Sequence, residues 1–245
     1  MAAWRAGTLT GAGGWAAGLV GTMVLTGAGW AGGAVLAAFF LSSSLLSRLV
    51  PVVEGLDAKG DRRDTRQVLA NGGVAALGAL AGLSDPQLGL WLITGSLAAA
   101  AADTWATAAG GFSSAPPRLF WSRRLVPRGT SGGMTTAGNL GAGAGALVVS
   151  VAGAIGAADP ALIPAGMVIG FVGMIADSAL GATLQGRFHC PACGVPSEWP
   201  VHRCGTTTAR QGGLPWLDND GVNLAATSLG ALLALGAWAW HGRSS

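Results

Sequence analysis

The stretch that decides the fold is residues 87–110, QLGLWLITGSLAAAAADTWATAAG. It is apolar and rich in alanine, and it is longer than the roughly 20 residues that an α-helix needs to cross a bilayer. Its one charged side chain is Asp103. An ionised carboxylate near the end of a membrane helix is unfavourable unless a partner, a cation or a polar cavity stabilises it. The stretch therefore predicts a membrane helix with a functional site near one end.

Composition extends this interpretation to the whole chain of 245 residues. Hydrophobic residues make up 51% and charged residues 10%, whereas soluble domains carry roughly 25% charged residues. The 42 glycines let helices approach closely, because lipid supplies no hydrophobic drive between helices. We expect an all-α polytopic helical bundle that forms a single transmembrane domain over residues 1–245, surrounded by membrane lipids and without a nucleic-acid partner.

Seven apolar runs have the length of a membrane span. Arg5 precedes the first run and no A-x-A cleavage site closes it, so we expect a retained helix rather than a signal peptide. The predicted spans are residues 8–26, 29–49, 67–84, 87–110, 137–157, 161–184 and 219–240.

Basic residues favour one orientation. With seven spans, 13 of the 14 Lys and Arg residues lie at the N-terminus or in the connections after spans two, four and six, and Arg243 is the exception. Cytoplasmic loops collect Lys and Arg, so we expect a cytoplasmic N-terminus in a prokaryotic plasma membrane. The connections on the opposite face are short turns without basic residues.

Three carboxylates fall at the predicted cytoplasmic ends of spans: Asp103, Asp177 and Asp220. For any one of them alone, a helix cap or an ion pair with Arg is the simpler explanation. Three carboxylates beside basic loops favour a cation site. Mg²⁺ prefers oxygen ligands and binds through one or two carboxylates plus substrate phosphates. The sequence therefore predicts Mg²⁺ held by these three residues.

A glycine-rich loop after span four has the features of a phosphate site. Residues 127–139, PRGTSGGMTTAGN, combine Arg128, glycines, hydroxyls and a helix start. The P-loop spacing is absent, and a flexible loop is the alternative. Before span three, Asp64, Gln67 and Asn71 share one helix face. The predicted substrate- or nucleotide-binding residues are Arg62, Arg63, Asp64, Gln67, Asn71, Gly129, Thr130, Ser131, Gly132, Gly133, Thr135, Gln185, Asn219 and Asn223.

All three cysteines fall in a predicted cytoplasmic insert over residues 185–216. Cys190, Cys193, His202 and Cys204 have the residue types of a tetrahedral structural zinc site. His189 is an alternative ligand to His202. Reduced thiols without metal and a redox pair are the alternatives to zinc.

Five blocks of sequence resemble an integral-membrane family that includes the plant phytyl-phosphate kinase of tocopherol synthesis and a vertebrate transmembrane relative. The resemblance implies a kinase that converts a phytyl- or geranylgeranyl-type monophosphate into the diphosphate with a nucleoside triphosphate, CTP being the candidate. The blocks are residues 67–72 (QVLANG), 103–106 (DTWA), 128–133 (RGTSGG) with Gly138, 177–185 (DSALGATLQ) and 216–223 (WLDNDGVN).

With this resemblance, the residues predict Asp103, Asp177, Asp220 and Arg128 as catalytic. We expect the isoprenoid tail along the small-residue faces of spans three to six, with its phosphate near Arg62, Arg63 or Arg128. The alternatives are another CTP-dependent lipid phosphotransferase or cytidylyltransferase, a transporter, and a non-enzymatic membrane protein. A homo-oligomer is compatible with the sequence.

Overall fold

The computed structural model describes residues 8–49, 62–197 and 199–244, and most of them are helical. Two of the basic residues used for orientation, Arg5 and Lys59, lie outside these ranges. The helices are α1 (Gly11–Leu49), α2 (Thr65–Ala81), α3 (Pro86–Gly111), α4 (Thr136–Ala157), α5 (Leu162–Thr183) and α6 (Asn219–Ser244). The strands are β1 (Arg118–Leu119), β2 (Gly133–Met134), β3 (Arg187–Cys190), β4 (Val195–Ser197) and β5 (Ala209–Gly212).

The first helix, α1, reverses direction at Gly29. Its φ of 59° and ψ of −154° are not helical, and glycine adopts such a conformation most readily. Both ends of α1 lie near Arg63. Leu9, just before α1, forms a β-bridge with the backbone of Arg63, and the Arg63 guanidinium lies 5.7 Å from the ring centroids of Phe39 and Phe40. The element is therefore a hairpin of two arms, residues 11–28 and 30–49, and the break predicted between residues 26 and 29 is confirmed.

Side-chain caps explain where three helices begin. Asp64, Asp85 and Thr135 precede α2, α3 and α4, and each side chain accepts a hydrogen bond from the backbone N–H three residues later, at 2.9–3.0 Å. Caps of this kind stabilise a helix by about 1 kcal/mol. The three helices start within two residues of the predicted positions.

The central helix of the bundle is α3, which contacts every other helix. A Cβ added at Gly145 of α4, Gly170 of α5 or Gly230 of α6 would lie within 3 Å of an α3 carbonyl oxygen. Glycine thus allows these helices to pack backbone against backbone. At these contacts the helix backbones leave no room for an isoprenoid tail between α3 and its neighbours. The expected position of the tail elsewhere along spans three to six stays a prediction.

The two ends of the bundle differ in charge. At one end the turns are short: Gly29, residues 82–85 and residues 158–161 lie together, and Gln87 donates to the carbonyl of Ala157 at 2.9 Å. The other end, which we call the basic end, carries the loop 112–135 and the insert. It holds every described Arg outside α6, namely Arg48, Arg62, Arg63, Arg66, Arg118, Arg123, Arg124, Arg128, Arg187, Arg203 and Arg210.

Four of the described helices are long and apolar enough to cross a membrane by length and composition: α1, α4, α5 and α6. Helix α2 has 17 residues, and α3 has 26 residues that are largely buried inside the bundle. The predicted count of seven spans stays a prediction.

The insert between α5 and α6 folds into a three-stranded antiparallel sheet of order β4-β3-β5. Its two ends are joined by backbone hydrogen bonds, from Leu214 N–H to the carbonyl of Leu184 at 2.8 Å and from Gly186 N–H to the carbonyl of Leu217 at 2.9 Å. We call these paired ends the neck. The insert lies between the end of α5 at Thr183 and the start of α6 at Asn219, and the sequence analysis did not predict its strands.

Candidate functional site

Two of the predicted catalytic carboxylates lie at one level of the bundle. A Cβ on Gly173 of α5 would meet both Ala99 of α3 and Ala226 of α6, so the three helices come together there. One helical turn closer to the basic end, the corresponding residues are Asp103, Asp177 and Asn223. We call this height the carboxylate level.

The side chains of Asp103 and Asp177 are within hydrogen-bonding reach of each other, and both residues are half-buried. Oδ2 of Asp177 is buried and has no hydrogen-bond partner among the described residues. Two carboxylates in contact cannot both stay ionised without a shared proton or a nearby cation. The pair therefore has the chemistry of a cation or proton site.

Asp220 lies differently from the other two carboxylates. It is 5% exposed, and Arg66 Nε lies 3.9 Å from its Oδ2. The same guanidinium contacts Asp218 at 2.7 Å, and Asp218 also accepts a hydrogen bond from Gly221 N–H at 3.0 Å. Arg66 is thus the primary partner of Asp218 and a more distant ionic partner of the buried Asp220. By helical spacing, Asp220 lies about one turn nearer the basic end than Asn223, which is itself 8% exposed.

The glycine-rich loop packs directly on α5 beside Asp177. Gly132 has a φ of 78°, and a Cβ on it would overlap the carbonyl of Ser178 and the side chain of Ala182. One residue earlier, Ser131 lies against Gly181. Gly129 also has a φ of 78°, and Gly133 N–H donates to the carbonyl of Thr130 at 3.0 Å. The structure thus brings this predicted loop to the carboxylate pair.

Arg128 and Thr135, at the two ends of the loop, have structural contacts. The guanidinium of Arg128 donates to the carbonyls of Ser113 and Ser114, which follow α3. Thr135 caps α4 and lines a cavity of about 330 Å³ together with Arg118 and Arg123. Arg128 is exposed and ties the loop to α3, and the cavity adds two further arginines that the sequence analysis did not select.

The residues of the predicted polar stripe on α2 have two different surroundings. Asp64 caps the helix, and the exposed Arg62 precedes it. Gln67 and Asn71 line a separate apolar cavity together with Arg63, and Asn71 Nδ2 donates to the Gln67 carbonyl at 2.9 Å. Gly78 packs on Leu92 and Ile93, so the antiparallel register of α2 and α3 places Gln67 at the height of Asp103. Sequence analysis missed the phenylalanines that flank Arg63, because only the reversal of α1 brings them there.

Gln185 and Asn219 lie where the insert joins the bundle. Gln185 is 2% exposed, and its side-chain oxygen approaches Gly181, so it lies behind the glycine-rich loop. Asn219 is the first residue of α6 and is half-buried. Both residues flank the neck.

The predicted zinc ligands form one cluster. One ligand atom from each of Cys190, Cys193, His202 and Cys204 lies within 4.8 Å of all the others. Sγ of Cys190 is 3.6 Å from Sγ of Cys204, and Nδ1 of His202 is 3.1 Å from the same sulfur. A tetrahedral zinc with Zn–S bonds of about 2.3 Å separates its sulfurs by about 3.8 Å. These four residues could hold zinc, and the structure brings His202 rather than His189 into the group.

Hydrogen bonds differentiate the thiols of the cluster. Bonds with Thr206 and His202 lower the pKa of Cys204 to about 6. The hydrogen bond with Cys204 raises the pKa of Cys193 to about 11. Of these two thiols, Cys204 more readily becomes a thiolate, the form that binds metal.

Comparison with known proteins identifies relatives across most of the chain. The family model described as Integral membrane protein DUF92 matches residues 1–231. Protein PGR of Arabidopsis thaliana is 33% identical over 255 aligned residues, which cover 88% of this chain and 85% of that protein. Uncharacterised membrane proteins of Methanocaldococcus jannaschii and Synechocystis sp. are each 28% identical, covering 82% and 89% of this chain and 74% and 78% of their own lengths. No solved structure matches.

Proposed function

This chain belongs to the integral membrane protein family DUF92, and from that premise we propose that it is a prenyl monophosphate kinase. Its substrate is a phytyl- or geranylgeranyl-type monophosphate held in the membrane, and its phosphoryl donor is a nucleoside triphosphate, with CTP as the candidate. The family resemblance supplies the reaction. The contact between Asp103 and Asp177, with the glycine-rich loop packed beside them, is the observation that carries the proposal.

The chemistry needs positioning and charge neutralisation more than acid–base catalysis. A monophosphate oxygen forms a bond to the terminal phosphorus of the nucleoside triphosphate, while the bond from that phosphorus to the nucleoside diphosphate breaks. The nucleophile is already ionised near neutral pH, because its second pKa is about 6. Phosphoryl transfer then depends on groups that neutralise the developing charge.

The residues present fit a divalent cation. Asp103 and Asp177 would hold Mg²⁺, which supplies charge neutralisation on the nucleotide phosphates when it is bound. We assign the phosphate oxygens to the backbone N–H groups of Gly129, Ser131 and Gly132 and to the helix start after Thr135, because the N–H groups of Thr130 and Gly133 bond within the loop. Asp220 positions the start of α6 through Arg66. We assign it this supporting role rather than that of a metal ligand.

Orientation and the second metal complete the proposal. The basic end, with the active site, faces the cytoplasm, since it carries the arginines that cytoplasmic loops collect. The Cys/His cluster holds a structural zinc, because four protein ligands close a tetrahedral site and leave no open position for catalysis.

The test is transfer of label from a γ-labelled nucleoside triphosphate to geranylgeranyl monophosphate by the purified full chain. We expect Mg²⁺-dependent formation of the diphosphate, with Asp103→Asn and Asp177→Asn each lowering the rate by about 100-fold or more. Asp85→Asn is the matched control: it makes the same change at the opposite end of the bundle, where Asn still caps α3.

Two results would overturn the proposal. Full activity in both Asp103→Asn and Asp177→Asn would remove the metal site. Label transferred from the α-phosphate instead of the γ-phosphate would show a cytidylyltransferase.

A further inference from the structure

A cavity of about 520 Å³ lies between the two arms of α1 and helix α2. We call it the α1–α2 slot. The first arm contributes Ala17 and Gly21, the second arm Gly33 and Ala37, and α2 contributes Val68. Most of its lining is apolar, and many of the lining side chains are small. It is separate from the contacts of α3 with α4, α5 and α6, where the helix backbones pack against each other.

The polar groups of the slot are gathered at its basic end. Arg63 is half-buried, and its guanidinium lies 5.7 Å from the ring centroids of both Phe39 and Phe40. Among the described residues it has no acidic partner. Arginine is always charged, so a cation at the mouth of an apolar slot favours an anionic ligand.

Gln67 adds a second polar group at the same end. Its side-chain oxygen is buried and has no hydrogen-bond partner among the described residues. An amide can present either its oxygen or its NH₂ group to a ligand. Gln67 also stands at the height of Asp103, and packed helix axes lie roughly 8–10 Å apart, so the polar end of the slot is at the carboxylate level and borders the helix next to α3.

The length and polarity of the slot suit an amphiphile that has a hydrocarbon tail and one anionic head. Its lining on the second arm runs from Trp30 to Phe40, which corresponds to about 15 Å along a helix. An apolar slot of this length with one cationic end matches such a tail, with the anionic head at Arg63. A bilayer phospholipid has two tails and places its phosphate behind a glycerol.

We propose that the α1–α2 slot binds the tail of the prenyl monophosphate and that Arg63 and Gln67 receive its phosphate. The identity of the lipid rests on the proposed kinase function, whereas the position of the tail rests on the slot itself. The substrate then enters from the bilayer between the arms of α1 and presents its phosphate towards Asp103.

A matched pair of glycine substitutions tests the position of the tail. Gly21 lines the slot, whereas Gly18, one turn earlier on the same arm, is exposed and does not line it. A Cβ added at either glycine meets no atom within 4 Å. Gly21→Leu therefore places its Cβ in open space and extends a side chain at the slot, and Gly18→Leu makes the same chemical change outside it.

The measurement is binding of geranylgeranyl monophosphate carrying a photoreactive tail, with the full chain in phosphatidylcholine nanodiscs and no nucleotide. We expect Gly21→Leu to weaken binding by about tenfold or more and Gly18→Leu to leave binding unchanged. We expect the wild-type crosslinks to lie within residues 17–40. Arg63→Gln should weaken binding of the monophosphate by about tenfold or more and leave geranylgeraniol binding unchanged, with Arg63→Lys in between.

Each contrary outcome is specific. Wild-type binding by Gly21→Leu, crosslinks confined to α3–α5, or equal loss of alcohol and phosphate in Arg63→Gln would overturn the proposal. So would a phosphatidylcholine probe that labels the slot and is not displaced by the prenyl monophosphate. Crosslinks in the slot without phosphoryl transfer from any nucleotide would uphold the slot and refute the kinase. Phosphoryl transfer that persists unchanged in Gly21→Leu would uphold the kinase and refute the slot.

Discussion

Gly132 offers a test of the active-site geometry that does not depend on knowing the substrate. Its φ of 78° is left-handed, so alanine there costs about 1–2 kcal/mol of folding free energy. The new Cβ would also overlap the Ser178 carbonyl and the Ala182 side chain, and overpacking of this kind costs about a further 1–3 kcal/mol. Gly132→Ala should therefore lose about 2–5 kcal/mol in total.

Gly205→Ala measures the backbone penalty alone, so its difference from Gly132→Ala gives the cost of the overlap. Gly205 has a φ of 84°, but a Cβ on it meets nothing within 4 Å, so only the backbone penalty applies. Thermal unfolding of the purified variants is the assay. For a chain of this size, about 2 kcal/mol of extra overlap lowers the melting temperature of Gly132→Ala by a further 4–8 °C relative to Gly205→Ala. Equal melting temperatures would show that the loop does not pack on α5, and the placement of the loop beside Asp177 would be refuted.

Two other predictions concern the insert and the short-turn end. Cys190→Ser should release a bound zinc and destabilise the insert, because it removes a fully buried ligand. Metal analysis and thermal unfolding measure both effects, and the control His189→Ala should keep the zinc. A wild-type protein that contains no zinc and is only as stable as Cys190→Ser would contradict this prediction. Asp159→Ala should lower the free energy of unfolding by about 1–3 kcal/mol, because it leaves the buried Trp91 Nε1, now 3.2 Å from the carboxylate, without an acceptor. Asp159→Asn keeps one oxygen and should lose less, so equal stability of the two variants would contradict the assignment.

The helices were predictable because residues next to their ends determine where they start and stop. Asp85 followed by Pro86, and Thr135 before a glycine- and alanine-rich run, stop and start helices whatever surrounds them. The family was also predictable, since the sequence blocks that carry the resemblance lie within the region that the family model matches. Part of the Cys/His cluster was predictable from local sequence, because Cys190 and Cys193 are separated by only two residues.

The proposed tail site was not predictable from sequence because it depends on contacts between residues distant in sequence. Phe39 and Arg63 meet only after α1 reverses at Gly29, and the slot they border is absent from any local pattern. The same limit applies to Asp220. Like Asp177, it lies at the predicted end of an apolar run, but Arg66, on another helix, approaches it. A carboxylate in an apolar run indicates that some partner exists, and the fold decides whether that partner is a cation, a proton or an arginine.

The neck of the insert bears on how this family can diversify. The insert leaves α5 and returns to α6 through adjacent backbone hydrogen bonds at residues 184–186 and 214–217, so its two ends lie side by side. The Cys/His module is therefore an appendage on a fixed base, and exchanging it leaves the spacing of the membrane helices unchanged. A relative can lose the module, or a laboratory can replace it with a reporter domain, while the bundle below keeps its geometry.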